Sequence, residues 1–370
     1  MKALFLKYKK LHLWLLVNLI LLAAYFLLRG QKALMTALAE NITAPIRQAI
    51  GRLCYLTEIS VMEVLCVLLI VGAIAYVIWS IAAVIRAKDR RAGRTYSAVL
   101  GAANIALSIC VGFCLLWGIN YGAETFQDKS GIYAEPVAYE DLAAVTVYFA
   151  QQLSLAADDV QRDESGVFAV PREEILSAST TVYDAAEQVF PFLEFDDPGV
   201  KAMAFSRLLS AMDFTGFYCS YTGESNVNVD SPACLLPSTV VHELAHQRGI
   251  ASEQECNFLA VMASVISGNP AYEYAGWLKG YINLGNALYS VDRDLYWAIR
   301  DMLPETVEAD LAYNSAYWDQ FRDTAVQKVS NTVYDGILKA YGDERGIQSY
   351  GTVVDMLVVY YKDAAYSALS

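Results

Sequence analysis

Histidine is scarce in this chain, with three among 370 residues, and no Cys-x-x-Cys pair occurs among its seven cysteines. A cysteine-paired metal ribbon is therefore excluded. Glycine-rich phosphate loops, nucleophile elbows and a basic DNA-reading stripe are missing too, which removes the usual residues of nucleotide binding, serine-type hydrolysis and nucleic-acid recognition. No internal repeat appears. Charge is sparse at 18% of residues against 56% hydrophobic, and the mean hydropathy is +0.31. That balance is too apolar for a simple soluble domain and leaves room for a membrane part joined to a folded one.

The few charges are unevenly placed. Residues 1–122 carry 13 Lys/Arg against 4 Asp/Glu, whereas the remainder carries 14 against 36. Two physically different regions follow, a membrane domain over 1–122 and a second domain over 123–370. The acidity of the second argues against a nucleic-acid partner.

Three runs in the first region have the length and apolarity to cross a bilayer: about 11–28, 61–85 and 97–119. The first follows a basic head and has no small-residue cleavage site after it, so it reads as an uncleaved anchor. His12, at its edge, reads as an interfacial residue. Residues 31–60 mix charged and apolar positions and are expected along the outer interface or against the bundle. The loop from Arg86 to Arg94 is strongly basic. With the head, it places the N-terminus in the cytoplasm, the lipid bilayer around three spans, and everything after about Tyr121 outside.

From Gly122 onward the spacing is mostly helical. Helices are expected over 139–160, 171–190, 198–212, 270–291, 295–302, 311–341 with breaks, and 351–369. Residues 214–229 alternate around Gly223 and predict a short β-hairpin, whose edge could hold an extended peptide. The apolar run 258–267 is too short to span. The 25 tyrosines read mainly as amphipathic packing residues. A Cys219–Cys234 disulfide around the hairpin is conceivable outside the cytoplasm, although Cys256 leaves an odd thiol.

Two of the three histidines fall in one stretch, Ser238-Thr-Val-Val-His242-Glu243-Leu-Ala-His246-Gln-Arg-Gly249-Ile-Ala-Ser252-Glu253-Gln-Glu255-Cys-Asn257. Residues four apart share a helix face, so His242 and His246 can offer two imidazoles to one metal ion. Glu243 then sits at the adjoining edge, where it can act on a water as general base without being a ligand. Pro237 and Ser238 mark the start of this helix, and Gly249 marks its end. Ser252 and Glu255 have capping-box spacing for the next helix. A third ligand has two candidates, Glu253 and Glu255. Glu253 is preferred, because Glu255 already has the capping position and Asn257 lies four residues beyond Glu253.

His-Glu-x-x-His resembles the signature of the zincin metallopeptidases. In their glutamate-ligand branch the third ligand is a glutamate on a following helix, often with Asp or Asn four residues later. The resemblance thus implies Zn2+ held by His242, His246 and Glu253, with Asn257 orienting a ligand histidine. Six residues separate His246 from Glu253, fewer than is usual in that branch, and Ser252 stands where a different branch places its ligand. The string His-Glu-Leu-Ala-His-Gln-Arg-Gly, with Gly223-Glu-Ser-Asn-Val-Asn upstream, is also similar to an uncharacterised family of bacterial multi-pass membrane proteins.

The expectation is therefore a mainly α protein: three transmembrane helices, then a mostly helical, zincin-like extracytoplasmic domain with a short β-hairpin. It is read as a zinc metallopeptidase acting on peptide or protein substrates, cell-wall peptides included. A non-catalytic, zinc-stabilised receptor or scaffold is the alternative.

Overall fold

A computed structural model describes residues 6–341 and 350–370. The chain is mainly helical, with three candidate membrane helices near its N-terminus and one small three-stranded sheet. It divides into two compact units. One comprises Met1–Ile50, Val61–Ala123 and Ser220–Thr222; the other comprises Gly51–Ser60, Glu124–Cys219 and Gly223–Ser370.

In the first unit, α1 (Lys9–Leu28), α2 (Lys32–Leu38), α3 (Ala44–Cys54, which runs on past the unit boundary), α4 (Val61–Arg86) and α5 (Arg91–Leu116) follow in order. α1, α4 and the stretch Lys88–Leu116 are long and apolar enough to cross a membrane. Buried amides tie α1 to α5. Asn18 Nδ2 donates to Ser108 Oγ at 3.1 Å, and Asn104 Nδ2 donates to the Leu11 carbonyl at 3.0 Å. In an apolar medium such side-chain bonds between helices fix their register.

Residues 51–60 belong with the second unit. Lys201 Nζ explains this: it donates to the carbonyls of Cys54 (2.8 Å) and Ile59 (2.9 Å) and to Glu224 Oε1 (2.6 Å). All three bonds satisfy one almost fully buried ammonium.

The second unit is built from α6 (Phe126–Ser130), α7 (Tyr139–Ala156), α8 (Arg172–Ala178), α9 (Asp184–Val189), α10 (Ser206–Ala211), α11 (Leu236–Gln247), α12 (Glu253–Val265), α13 (Pro270–Val291), α14 (Arg293–Arg300), α15 (Glu305–Asp319), α16 (Ala325–Tyr341) and α17 (Tyr350–Leu369). Its core lies where α7, α11, α12, α13 and α17 meet. Phe149, Trp277 and Tyr361 make edge-on or tilted ring contacts there, beside Val240, Leu244 and Phe258. The run 258–264 is buried throughout, as a helix hydrophobic on every side must be.

Two expected helices are broken. Residues 171–190 form α8 and α9 with turns between them. Residues 198–212 give a short strand and then α10. That strand, β1 (Lys201–Ala202), pairs in parallel with β3 (Glu224–Val227). β3 in turn pairs antiparallel with β2 (Gly216–Cys219), so the sheet order is β1-β3-β2. The hairpin turn is closed by Gly223 N–H donating to the Cys219 carbonyl at 2.7 Å. Neither Cys219 nor Cys234 is in a disulfide, so the conceivable bridge is not formed.

Candidate metal centre

α11 begins with Pro237 in its first turn and buries Val240, Val241, Leu244 and Ala245 completely. Its end is set by Gly249, which has φ +94°. The Gly249 N–H donates to the His246 carbonyl (2.9 Å) and the Ile250 N–H to the Ala245 carbonyl (3.2 Å). These two bonds satisfy the last turn and need a left-handed residue between them, which glycine adopts without Cβ strain.

The turn has a chemical consequence. It carries the Ile250 carbonyl back to His246 Nδ1 at 2.8 Å. A carbonyl only accepts, so Nδ1 bears the proton and the Nε2 lone pair is left for a Lewis acid. Cys256 Sγ lies 3.3 Å from the same Nδ1.

Further contacts hold α11 in place. Ser225 Oγ donates to the Glu243 carbonyl (2.9 Å), Tyr183 OH to the Val241 carbonyl (2.9 Å), and Gln247 Nε2 to the Gly223 carbonyl (3.1 Å). Just past the helix, the buried Arg248 guanidinium pairs with Glu187 at 2.8 Å and Asp197 at 2.6 Å, and lies over the Tyr183 ring. Burial raises the Asp197 carboxyl, a shift that Arg248 opposes.

α12 starts at Ser252, whose Oγ accepts from the Glu255 N–H. The reciprocal half of the expected capping box is replaced. The Glu255 carboxylate turns instead to α6, accepting from the N–H groups of Phe126 (3.0 Å) and Gln127 (3.2 Å) and from Gln127 Nε2. Those N–H groups open a helix and have no partner within it, so a carboxylate is well placed there. Glu255 is thereby committed elsewhere.

Glu253 faces both histidines. Its Oε2 lies 3.2 Å from His242 Nε2 and its Oε1 3.4 Å from His246 Nε2. The two rings stand edge to face, 4.8 Å between centroids. One donor atom from each of His242, His246 and Glu253 falls within 4.8 Å of the others. Asn257, half-buried on α12, makes no hydrogen bond to either ring among the described residues. The Ile250 carbonyl and Cys256 take that orienting position on His246.

The electrostatics of the metal-free cluster follow from burial and proximity. Burial pulls the His242 imidazole down. Burial also disfavours charge on His246, but Cys256 and Glu253 outweigh it and hold that ring well above the ordinary histidine value. Glu253 is the counterpart: burial pushes it up, and His246 and His242 hold it well below the usual carboxylate range. A lone pair opposed to a carboxylate oxygen is repulsive unless a proton or metal cation lies between them. Two imidazole nitrogens and one carboxylate oxygen form a donor set suited to a borderline divalent cation.

Glu243 is outside that set. It is 4% exposed, and burial pushes its carboxyl up to about 8. The Tyr218 backbone N–H of β2 donates to the carboxylate, while Oε2 is buried with no partner among the described residues. Strand and carboxylate touch because residue 216 is glycine; a Cβ there would stand 2.6 Å from Glu243 Cγ.

One participant was invisible in the sequence. Tyr334 of α16 donates its hydroxyl to Glu253 Oε1 at 2.6 Å. No local spacing singles out this tyrosine among the 25 in the chain.

Fold and site together define a mainly helical chain with three candidate membrane helices and, in its second unit, a two-histidine, one-carboxylate cluster able to hold a metal ion. The chain belongs to the family described as "Protein of unknown function (DUF3810)", whose model matches residues 39–358. No curated protein and no solved structure matches it.

Proposed function

We propose that the protein is a membrane-anchored, zinc-dependent metallohydrolase of zincin type, a peptidase acting on peptide or protein substrates outside the cytoplasmic membrane. The observation that carries this reading is the placement of Glu243. A carboxyl raised to about 8, with a bare Oε2, adjoins three convergent metal donors instead of joining them.

His242, His246 and Glu253 are the residues that would hold zinc. When bound, zinc supplies Lewis acidity toward a carbonyl oxygen and a water molecule. Glu243 takes the proton of the water that attacks the peptide carbonyl and delivers it to the leaving amine. Among the described residues β2 has one strand neighbour, β3, so its other edge can take an extended peptide as an added strand. Its Tyr218 N–H already marks where that edge meets Glu243.

Orientation rests on the basic head and the Arg86–Arg94 loop, which favour the cytoplasmic side and leave the second unit outside. Cell-wall peptides are then within reach.

The test uses full-length protein in detergent with a panel of quenched peptides, cell-wall peptides among them. Glu243→Gln should keep about one zinc per chain and lose hydrolysis by about 10²-fold or more. Undiminished hydrolysis in Glu243→Gln contradicts the mechanism. Zinc binding without hydrolysis of any peptide by the wild-type chain favours the receptor or scaffold reading instead.

A further inference from the structure

Glu253 is held from a third side, by an element far away in sequence. α16 lies along residues 213–214 through one of its faces: Gln327 Nε2 and Asn331 Nδ2 both donate to Asp213 Oδ2, at 2.9 and 3.1 Å. Tyr334 is the next position on that face. Its ring packs edge-on against Phe214, with centroids 5.2 Å apart and planes at 84°. Its hydroxyl meets Glu253 Oε1 at 2.6 Å. Phe214 is itself fixed, since its carbonyl accepts from Asn228 Nδ2 at 2.9 Å. The phenol is thus oriented by Phe214 and by the Asp213 contacts of its own helix.

We infer that Tyr334 is a positioning residue of the metal centre: its hydroxyl holds Glu253 Oε1 and fixes the rotation of the carboxylate, so that Oε2 would be the oxygen turned to a cation. This rests on the metal-centre reading given above and adds to it the manner in which Glu253 binds.

The physical argument is one of lone pairs and torsion. A free carboxylate rotates about its last bond and can offer both oxygens to one cation. A short hydrogen bond to one oxygen, from a donor whose ring is clamped, removes that freedom. A ligand held to one oxygen leaves coordination space that a chelating carboxylate would fill, and an open position is what distinguishes a reactive site from a closed structural one. Partners behind a ligand also set metal affinity, and their loss commonly costs 10- to 100-fold.

The experiment compares wild-type chain with Tyr334→Phe, using Tyr313→Phe as a control that removes a hydroxyl from an exposed tyrosine elsewhere. Zinc content is measured first, then the rate of zinc release to a chromogenic chelator, then the visible spectrum of the cobalt(II)-substituted protein. The expected result is about one zinc in the wild-type chain, release roughly 10- to 100-fold faster in Tyr334→Phe, and weaker cobalt d–d absorption as Glu253 turns to bind through both oxygens. Tyr313→Phe should match the wild type in all three. A zinc-loaded wild type with equal release and an identical cobalt spectrum in Tyr334→Phe overturns the role of the tyrosine while leaving the metal centre standing. A wild-type chain that takes up no zinc overturns both.

Discussion

Gly216 lies against Glu243 so closely that a Cβ on the glycine would stand 2.5 Å from Glu243 Oε1. Such a contact cannot be relieved by the backbone of β2 alone, because Gly216 is paired with Val227 of β3. The carboxylate must move. Gly216→Ala should therefore keep about one zinc per chain and lower peptide hydrolysis by about 10²-fold or more, the usual contribution of a general base. Steady-state kinetics beside metal analysis checks this; full activity in the alanine variant would show that Glu243 does not work from its observed position.

Arg248 secures the end of α11 from a nearly dry environment. Its side chain is 2% exposed and faces two carboxylates, Glu187 and Asp197. Replacing it with methionine leaves the nearly enclosed Asp197 carboxylate, and the partly exposed Glu187, without their cation, and breaking such a pair at a buried acid typically costs about 3–5 kcal/mol. The thermal midpoint of Arg248→Met should fall well below that of the wild type, and zinc affinity should fall with it as the helix end loosens. An unchanged midpoint would mean that this ion cluster does not hold the helix.

On the proposed metal-centre reading, metal and proton would compete for His246. In the metal-free chain that ring is held well above its ordinary value by Cys256 and Glu253, against the opposing effect of burial. A raised histidine retains its proton until the pH climbs through the raised value, so the proton must leave when zinc binds. Zinc affinity should rise with pH across the neutral range, with about one proton released per zinc at pH 7. Calorimetry in buffers of differing ionisation enthalpy measures that number; zero release would contradict the assigned ligand.

None of the seven cysteines is in a disulfide. Denatured protein purified without reductant should titrate close to seven thiols per chain. A count near five would reveal a disulfide that the fold does not contain.

Local signals made much of the architecture legible. The three long apolar runs, the alternation around Gly223, and the histidine spacing closed by Gly249 are each decided within about twenty residues of sequence, where helix and turn chemistry dominate. What escaped was settled at long range. Glu255 is drawn off by N–H groups 129 and 128 positions away. Tyr334 reaches Glu253 across 81. Residues 201–202 leave the helical pattern because the Lys201 ammonium finds Glu224 and two carbonyls of the 51–60 segment, a tertiary gain that overrides local propensity. Asn257 shows the reverse error, since correct spacing from Glu253 did not bring its amide to an imidazole.

Metal analysis of the purified full-length chain, alone and with single ligand changes, bears most directly on the central claim. About one zinc per wild-type chain, lost in His246→Ala and Glu253→Ala but retained in Glu255→Gln, is the predicted pattern. Zinc-free wild-type protein, or metal lost with Glu255 and kept without Glu253, would contradict it.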